Sequence, residues 1–467
     1  MQQIRDGKID IVEFTRQCLN EAHKINSAYH FFTVIADQQA LSQAQHIKEN
    51  FSQYKHKKLL GYMISAKDGI CVKGLESCAS SRILKGYKPL FDATVIQKIK
   101  DEGGIIIGKT VQDELGFGSF SVNVGKGFSI PLNPYDKQRS CGGSSGGAAG
   151  ISKMADFPHI ALGESTGGSI ANPASFCGVF GLTPTYGKVS RYGLIDYGNS
   201  LDKIGPIGKS IHDVALLQNV IEGHDEKDST SLNHPSENYD HLEKSIKGKK
   251  IGIIKEAFDQ GIAPQVTGAV RAGIKKLQEQ GAHVEEISLE FPIKHSLPTY
   301  YILATSEAST NLSKYCGMRY GSSEELKGSF NEYFSQVRSE HFRQEAKRRI
   351  ILGTFARMSG FRDAYYIKAA KVRTMIINEY KKAFGNYDAL ISPTTPILPP
   401  RFDEIEKLTP VQHYMMDILL VGPNVAGLPH LNVPVGMSNN VPIGMLLIGD
   451  HLQEKKMLEL AQPFQAP

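Results

Sequence analysis

The stretches KKIGIIK (249–255), VTGAVRAGIKKLQEQ (266–280) and HVEEISL (283–289) decide the fold class of this chain. The first and third are short runs of apolar and β-branched residues, typical of strands, whereas the second places apolar residues at helical spacing. A strand, a helix and a second strand in this order form a right-handed crossover between parallel strands. The sequence therefore predicts an α/β protein.

The N-terminal part continues this alternation. Asp10 precedes apolar residues at helical spacing and is placed to cap an amphipathic helix. The run LLGYMISAK (59–67) predicts a strand that ends on Lys67, because the turn-forming Asp68-Gly69 follows at once. A lysine at a strand end is a candidate for a site at the edge of the sheet.

Near the C-terminus, the sequence predicts a hairpin and a last helix. LPHLNVPVG (428–436) and VPIGMLLIG (441–449) flank the turn-forming Asn439-Asn440, a pattern typical of two antiparallel strands. A helix is expected over about 454–461.

Residues 103–110, GGIIIGKT, match the G-x-x-x-x-G-K-[ST] pattern of phosphate-binding loops. A phosphate cradle needs a strand before its first glycine, whereas here a charged helix is predicted over 93–102, with Asp92 placed to cap it. Three isoleucines also fill the motif. We interpret the segment as a strand, and nucleotide binding is an alternative that an ATP-binding assay on the isolated chain would test.

The composition is that of a globular protein. Of the 467 residues, 41% are hydrophobic and 22% are charged, so the chain can bury a sizeable core. The net charge of +5 leaves no strong electrostatic footprint for nucleic acid, and an RNA-linked role would need a partner that grips the RNA. We expect one domain over 1–467, with the polar stretch 224–241 as a surface linker or insertion boundary.

The cysteines and the hydropathy pattern indicate the compartment. The six cysteines are scattered without a C-x-x-C pair, which predicts neither a disulfide framework nor a metal site. The first residues lack the apolar core of a signal peptide, and no run approaches the roughly 18 apolar residues of a membrane span. The sequence therefore predicts a cytoplasmic protein without a membrane segment.

Two clusters of serine and glycine are the candidate site. RSCGGSSGGAAG (139–150) alone would be typical of a flexible linker. The second cluster, ALGESTGGSIANPASFCGVFGLTPTYG (161–187), places Ser169 after two glycines and before an apolar segment. Both clusters are explained by acyl transfer, in which a serine attacks an amide and backbone N–H groups stabilise the oxyanion.

Such a serine needs a base. None of the fifteen histidines lies in a glycine-rich or turn-bounded setting like that of the two serine clusters. A lysine is the remaining option, since Ser-Lys variants of the catalytic triad exist.

With GGSSGG (142–147), GGSI (167–170) and a strand that ends in Lys67, the chain resembles the amidase signature family. The resemblance implies a central mixed sheet flanked by helices on both faces. It also implies a triad of Lys67, Ser144 and Ser169, with a cis peptide at the middle serine, and an oxyanion hole at Thr166, Gly167 and Gly168. Because the spacing of the two cluster serines is slightly longer than in the family, Ser145 is the alternative for the middle role.

The resemblance covers nearly the whole chain. Within the family, three stretches are most similar to the glutamine-hydrolysing A subunits of aspartyl/glutamyl-tRNA amidotransferases: KRRIILGTFARMSG (347–360), AYYIKAAKVRTMI (364–376) and DILLVGPNVAGLPHLNVP (417–434). This similarity implies a glutamine pocket.

In that pocket, Arg349 would hold the α-carboxylate of glutamine and Asp417 the α-ammonium, with Tyr300 nearby. A zwitterionic substrate needs one fork-shaped cation and one anion held apart, which suits these residue types. Arg348 is the adjacent alternative for the arginine role.

The resemblance further implies that Ser169 attacks the side-chain amide of glutamine, while Ser144 relays the proton to an uncharged Lys67. Ammonia released from the glutamyl-Ser169 intermediate would then serve transamidation of Glu-tRNA(Gln), Asp-tRNA(Asn) or both. The expected partners are the B and C subunits of the amidotransferase, which would also hold the tRNA. No cofactor is expected in this chain, and ATP and magnesium are expected at the partner subunit.

Two residues of the second cluster depart from the family pattern, because Ser165 stands where an aspartate is expected and Ala171 where an arginine is common. Two alternatives follow. A free-standing amidase acting on another small amide would share the triad without needing Arg349 and Asp417. A catalytically inert scaffold subunit would be favoured if Ser165 and Ala171 marked a decayed site.

Overall fold

The computed structural model of the protein describes residues 2–259 and 261–465, and the strands in these ranges form one mixed sheet. The strands are β1 (Phe32–Ile35), β2 (Met63–Lys67), β3 (Ile105–Thr110), β4 (His159–Ser165), β5 (Phe180–Thr183), β6 (Lys203–Gly208), β7 (Lys250–Ile254), β8 (His283–Ile287), β9 (Ala389–Pro393), β10 (His430–Ser438) and β11 (Val441–Ile448).

The strand order across the sheet is β1-β3-β2-β4-β6-β5-β10-β11-β9-β7-β8. Strand β2 is parallel to both β3 and β4, and β7 is parallel to both β8 and β9. The strands between these two parallel groups pair antiparallel, so that the sheet is mixed, as expected.

Helices cover the sheet. They are α1 (Gln2–Arg5), α2 (Ile11–Tyr29), α3 (Asp37–Glu49), α4 (Phe51–Tyr54), α5 (Thr94–Asp101), α6 (Gly146–Met154), α7 (Ala171–Cys177), α8 (Ile211–Ile221), α9 (Pro264–Glu279), α10 (Glu290–Asn311), α11 (Phe330–His341), α12 (Gln344–Arg357), α13 (Lys368–Phe384), α14 (Phe402–Ile405), α15 (Pro410–Met415), α16 (Val421–Val425) and α17 (Glu454–Ala461).

Strand β3 shows that both faces of the sheet are buried. Ile105 and Ile107 pack into a core with α2, α3, α6 and α7, whereas Ile106 packs into a second core with α5 and α8. Successive side chains of a strand point to opposite faces, so the two cores lie on opposite sides of the sheet. The isoleucines of the apparent phosphate-binding motif are therefore core residues of a strand.

The predicted first helix, the central crossover and the C-terminal hairpin are confirmed. Asp10 caps α2 by accepting hydrogen bonds from the backbone N–H groups of Val12 and Glu13. The crossover from β7 through α9 to β8 joins parallel strands. The hairpin of β10 and β11 turns at Asn439 and Asn440, whose φ angles are 50° and 60°, a left-handed conformation that asparagine tolerates in such turns.

The predicted cap of α5 is wrong. Helix α5 begins after Ala93, without a side-chain cap. The Asp92 carboxylate instead accepts the backbone N–H of Lys73 and the ammonium of Lys100. A contact with Lys73, outside the helix, and one with Lys100, near the other end of α5, therefore take the carboxylate that the local pattern assigned to the helix start.

The first Ser/Gly cluster is part of the core and forms the start of α6. A Cβ atom at Gly150 would lie 2.1 Å from the Phe31 ring, and one at Gly147 would lie 2.5 Å from the Phe31 carbonyl oxygen. The glycines thus allow α6 to approach the segment before β1 more closely than any side chain would permit.

The polar stretch 224–241 runs between α8 and β7 as turns and irregular segments, and the strands before and after it belong to the same sheet. Among the described residues, no helix combines the length and apolar character needed to cross a membrane.

Candidate active site

The site lies where two neighbouring parallel strands end. Lys67 is the last residue of β2, and β4 ends at Ser165, directly before the turn that carries Ser169. Because β2 and β4 are parallel and paired, their carboxyl ends meet at the same edge of the sheet. The register of the sheet therefore brings the lysine to the second serine cluster.

Lys67 is fully buried, and its ammonium nitrogen lies 2.7 Å from the Ser144 hydroxyl. The peptide bond between Gly143 and Ser144 is cis. The Ser144 carbonyl accepts the backbone N–H of Asp113. The structure thus brings together two members of the expected triad.

The alternative serine has a different partner. The Ser145 hydroxyl donates to the Glu164 backbone carbonyl at 3.1 Å, and the Ser145 N–H donates to the Ser169 carbonyl at 3.2 Å. Ser145 therefore ties the two serine clusters together, while Ser144 is the serine in contact with Lys67. This geometry favours Ser144 for the relay role.

Ser169 follows the Gly167–Gly168 turn and is 7% exposed. A Cβ atom at Gly167 would lie 2.8 Å from the Tyr300 ring, and one at Gly168 would lie 2.5 Å from Leu420. A side chain at either position would clash with this packing, so the turn requires glycine at both positions.

Sequence reasoning did not single out Glu164, which contacts the lysine directly. One carboxylate oxygen of Glu164 lies 2.7 Å from Lys67 Nζ, and the backbone carbonyl of the same residue accepts a second Lys67 hydrogen bond at 2.8 Å. Both side chains are buried. The lysine thus has three oxygen partners, namely Ser144 and two oxygens of Glu164.

Glu164 belongs to a longer chain of contacts. The Thr166 hydroxyl lies 3.0 Å from the second carboxylate oxygen of Glu164 and 2.8 Å from a carboxylate oxygen of Asp202. Burial, and then the charge of Glu164, raise the pKa of Asp202 well above its ordinary value. Asp202 also accepts the backbone N–H groups of Tyr197 and Gly198.

A second carboxyl lies next to the cis peptide. Asp113 accepts the backbone N–H groups of Ser121 and Asn123 at 2.9 and 2.8 Å, and burial raises its pKa to about 6. A Cβ atom at Gly143 would lie 2.1 Å from this carboxylate. Asp113 therefore packs against the backbone that presents Ser144.

Arg349 lies on α12 and is buried in a cage of aromatic rings. Its guanidinium carbon lies 5.1 to 5.8 Å from the ring centroids of Phe117, Tyr197, Tyr301 and Tyr414. Contacts of this kind are favourable cation–π interactions. Aromatic rings from four separate segments thus hold one guanidinium in place.

Two polar partners complete the surroundings of Arg349. Its Nε donates to the Glu345 carboxylate at 2.8 Å, and Nη1 donates to the Tyr197 hydroxyl at 2.6 Å. Arg348 pairs with the same glutamate but is more exposed than Arg349. The buried position of Arg349 favours it over Arg348 for binding a substrate carboxylate.

Asp417 is buried and accepts hydrogen bonds from the Ser119 hydroxyl at 2.9 Å and the Tyr301 hydroxyl at 2.8 Å. Burial raises its pKa above the ordinary value, against the opposing effect of these hydrogen bonds. Tyr301 also packs against Tyr300, with ring centroids 4.9 Å apart. Two adjacent tyrosines thus connect Asp417 to the Gly167 turn.

A cavity of about 380 Å³ opens beside this group. Its lining includes Ser119, Glu345, Arg349 and Tyr414. The described residues that line it do not include the three triad residues. The cavity therefore adjoins Arg349 and Ser119, the hydrogen-bond partner of Asp417, and not the triad.

The two residues that depart from the family pattern are both buried. Ser165 is the last residue of β4, and Ala171 is the first residue of α7. Neither position interrupts the contact between Lys67 and Ser144.

The protein-family model described as Amidase matches residues 13–458. A relative from Halothermothrix orenii, named as the A subunit of glutamyl-tRNA(Gln) amidotransferase, is 45% identical over 416 residues, which cover 89% of this chain and 86% of the relative.

Solved structures are similar as well. The crystal structure of the A subunit of glutamyl-tRNA(Gln) amidotransferase from Thermotoga maritima is 34% identical, with a TM-score of 0.79 over 97% of this chain and 90% of that chain. The peptide amidase from Stenotrophomonas maltophilia is 25% identical, with a TM-score of 0.80 over 99% of this chain and 94% of that chain.

Proposed function

Because the chain belongs to the amidase family, we propose that it is the glutamine-hydrolysing subunit of a tRNA-dependent amidotransferase. Its relatives named as amidotransferase A subunits support this proposal at the level of sequence. The fold alone does not separate this function from that of a free-standing amidase, since the peptide amidase shares it. The distinction depends on the substrate pocket.

The observation that carries the proposal is a pair of opposite charges, Arg349 and Asp417, that both contact Tyr301. The Tyr301 hydroxyl binds Asp417, and the Tyr301 ring packs on Arg349, so one side chain bridges the two groups. The neighbouring Tyr300 packs against Gly167. An amino acid held by both charges would therefore have its side chain next to the proposed oxyanion donors.

The proposed reaction is acyl transfer to Ser169. The Ser169 oxygen attacks the side-chain amide carbon, its proton passes to Ser144, and the Ser144 proton passes to an uncharged Lys67. The backbone N–H groups of Thr166–Gly168 would stabilise the oxyanion. The C–N bond breaks as the proton returns through Ser144 to the nitrogen, which leaves as ammonia, and water then hydrolyses the glutamyl ester.

In this proposal the ammonia is passed on to partner subunits. These B and C subunits would activate glutamate or aspartate on its tRNA with ATP and magnesium, and would hold the tRNA. A division of this kind suits a chain of modest net charge, +5, with no strong electrostatic footprint for nucleic acid.

One observation favours the free-standing amidase as a second candidate. Glu345 already occupies Nε of Arg349, so the guanidinium is neutralised before any substrate arrives. A substrate carboxylate must therefore bind through the Nη edge or displace Glu345. An amidase with an uncharged amide as its substrate would need neither binding through the Nη edge nor displacement of Glu345.

The test is covalent trapping in the presence of the partner subunits. A glutamine analogue with a diazoketone in place of the side-chain amide should label Ser169, as identified by mass spectrometry of the peptide. The same diazoketone without the amino and carboxyl groups should label it far more slowly.

Neighbouring arginines provide a matched pair of variants. Arg349→Ala should slow labelling by the glutamine analogue, whereas Arg348→Ala should leave it nearly unchanged. Equal labelling by the two reagents would reject glutamine as the substrate and favour the free-standing amidase. Glutamine hydrolysis that proceeds at full rate without any partner would keep glutamine as the substrate but favour a free-standing enzyme over an amidotransferase subunit.

A further inference from the structure

The contacts of Lys67 Nζ suit both of its protonation states. An ammonium has three N–H donors and no acceptor, and the three nearby oxygens can each take one. An uncharged amine has two N–H groups and one lone pair. It can donate to the two Glu164 oxygens and accept the hydrogen bond of Ser144, as a base must.

The Thr166 hydroxyl lies between two carboxyl groups and bears on which of them carries a proton. It is within hydrogen-bond distance of both Glu164 and Asp202, but a hydroxyl has only one proton to donate. One of the two carboxyl groups must therefore carry a proton and donate it to Thr166. Burial, and then the Glu164 charge, raise the pKa of Asp202, which favours a proton on Asp202.

Both carboxylate oxygens of Glu164 have a polar partner. It receives a hydrogen bond from Thr166 on one oxygen and from Lys67 on the other. These contacts hold its carboxylate in one orientation, with the charge directed at Lys67 Nζ.

We propose that Glu164 is a positioning residue of the acyl-transfer site, which holds Lys67 Nζ against Ser144 and provides the counter-charge for the ammonium that forms on Lys67. The proposal rests on the triad chemistry of the proposed function but not on glutamine as its substrate. When the serine proton reaches Lys67, the new positive charge arises 2.7 Å from a carboxylate oxygen that is already oriented.

Other titratable groups near Lys67 and Glu164 have hydrogen-bond partners of their own. Asp113 accepts backbone N–H groups. Lys203, on the strand paired with β4, donates to the Leu428 carbonyl at 3.0 Å, and burial lowers its pKa to about 7. Glu164 is the carboxylate in hydrogen-bond contact with Lys67.

The experiment measures the pH dependence of Ser169 sulfonylation by methanesulfonyl fluoride, with the full chain. This small reagent carries no charge and needs no amino-acid pocket. The Ser169 Oγ–S bond forms, the S–F bond breaks, fluoride leaves, and the serine proton passes through Ser144 to Lys67. The rate therefore falls at acid pH, where Lys67 is protonated before the reaction.

Replacement by the isosteric amide, Glu164→Gln, removes the counter-charge and keeps a hydrogen-bonding group. The acid limb of the rate profile should move to lower pH by about one unit or more, since loss of a nearby negative charge makes the ammonium easier to deprotonate. The plateau rate should fall about tenfold to a hundredfold. Glu164→Asp keeps the charge, and its acid limb should lie nearer that of the wild type.

Glu454→Gln is the matched control, because Glu454 is a buried carboxylate 2.6 Å from the buried Lys188. This variant should lose thermal stability and keep the acid limb of the wild type. An unmoved limb in Glu164→Gln, or an equal shift in Glu454→Gln, would overturn the proposal. If Glu164→Gln does not fold, Glu164→Ala decides, since it also removes the counter-charge: a downward shift of the acid limb supports the proposal, and an unmoved limb overturns it.

The two proposals fail in different ways. A shifted sulfonylation profile in a chain that does not hydrolyse glutamine would reject the substrate and keep the role of Glu164. Normal glutamine hydrolysis with an unmoved acid limb would reject the role of Glu164 and keep glutamine as the substrate.

Discussion

Replacing Asp417 by asparagine tests whether the pocket recognises an amino acid. The side chains have nearly the same shape, and asparagine can keep an oxygen acceptor for Ser119 or Tyr301. What it loses is the negative charge proposed to hold the α-ammonium of glutamine. The triad, which Asp417 does not contact through these hydrogen bonds, should continue to react.

The size of the effect follows from the burial of Asp417. A hydrogen bond to a charged group contributes about 1.5 to 3 kcal/mol, and a site removed from water is expected at the upper end. The KM for glutamine should therefore rise roughly tenfold to a hundredfold. If the contact persists through the reaction, kcat should change little.

A pH profile adds a second signature. Burial raises the pKa of Asp417, and only its ionised form attracts an ammonium. In the wild type, KM should therefore increase as pH falls through this raised pKa. In Asp417→Asn this component of the pH dependence should be absent.

The assay compares glutamine kinetics with inactivation by methanesulfonyl fluoride, with the partner subunits present. Asp228→Asn is the control, since Asp228 is equally buried and accepts the backbone N–H of Arg191 instead. The reasoning is refuted if Asp417→Asn handles glutamine as the wild type does. It also fails if the uncharged reagent loses as much reactivity as glutamine, because the residue would then support the fold or the catalytic loop.

Four further outcomes are expected. Ser169→Ala should lower glutamine turnover by roughly three to six orders of magnitude in an ammonia-release assay, and a variant with a tenth of wild-type turnover would contradict the nucleophile assignment. Lys67→Ala should be nearly as severe, and Lys67→Arg should not restore turnover in the same assay, because a guanidinium stays protonated. Ser144→Ala should reduce turnover more than Ser145→Ala, and the reverse order would move the relay role by one residue. Burial lowers the pKa of His159 from 6.5 to about 3. The unfolded chain therefore binds this proton at a higher pH than the folded protein does, and the free energy of unfolding should fall as the pH is lowered from 6.5 to about 3. The loss is up to about 1.4 kcal/mol per pH unit, and denaturant titrations should show a weaker acid dependence in His159→Gln.

Much of the scaffold was predictable because its signals are local. Asp10 and the turn at Asn439-Asn440 act within a few residues, and the structure has both where the sequence places them. Asp92 shows the limit of such reasoning. Instead of capping the start of α5, its carboxylate accepts the backbone N–H of Lys73, outside the helix, and the ammonium of Lys100, near the other end of the same helix.

The sequence by itself also singled out the serine clusters and the lysine at a strand end, because these residue types stand in unusual local settings. The candidates for the pocket came only from the resemblance to the family. The sequence did not distinguish Glu164 from an ordinary strand residue. The cage around Arg349 was equally hidden, since its rings come from residues 117, 197, 301 and 414.

These contacts were decided by the tertiary structure alone. Lys67 and Glu164 are 97 positions apart, and they meet because β2 and β4 pair in one register, with both strands ending at the same edge. A hydrogen bond depends on the distance and direction between two atoms, and only the packed sheet sets these for groups far apart in the chain. Local sequence therefore determined which residues could react, and the register of the sheet determined which charge stands beside the lysine.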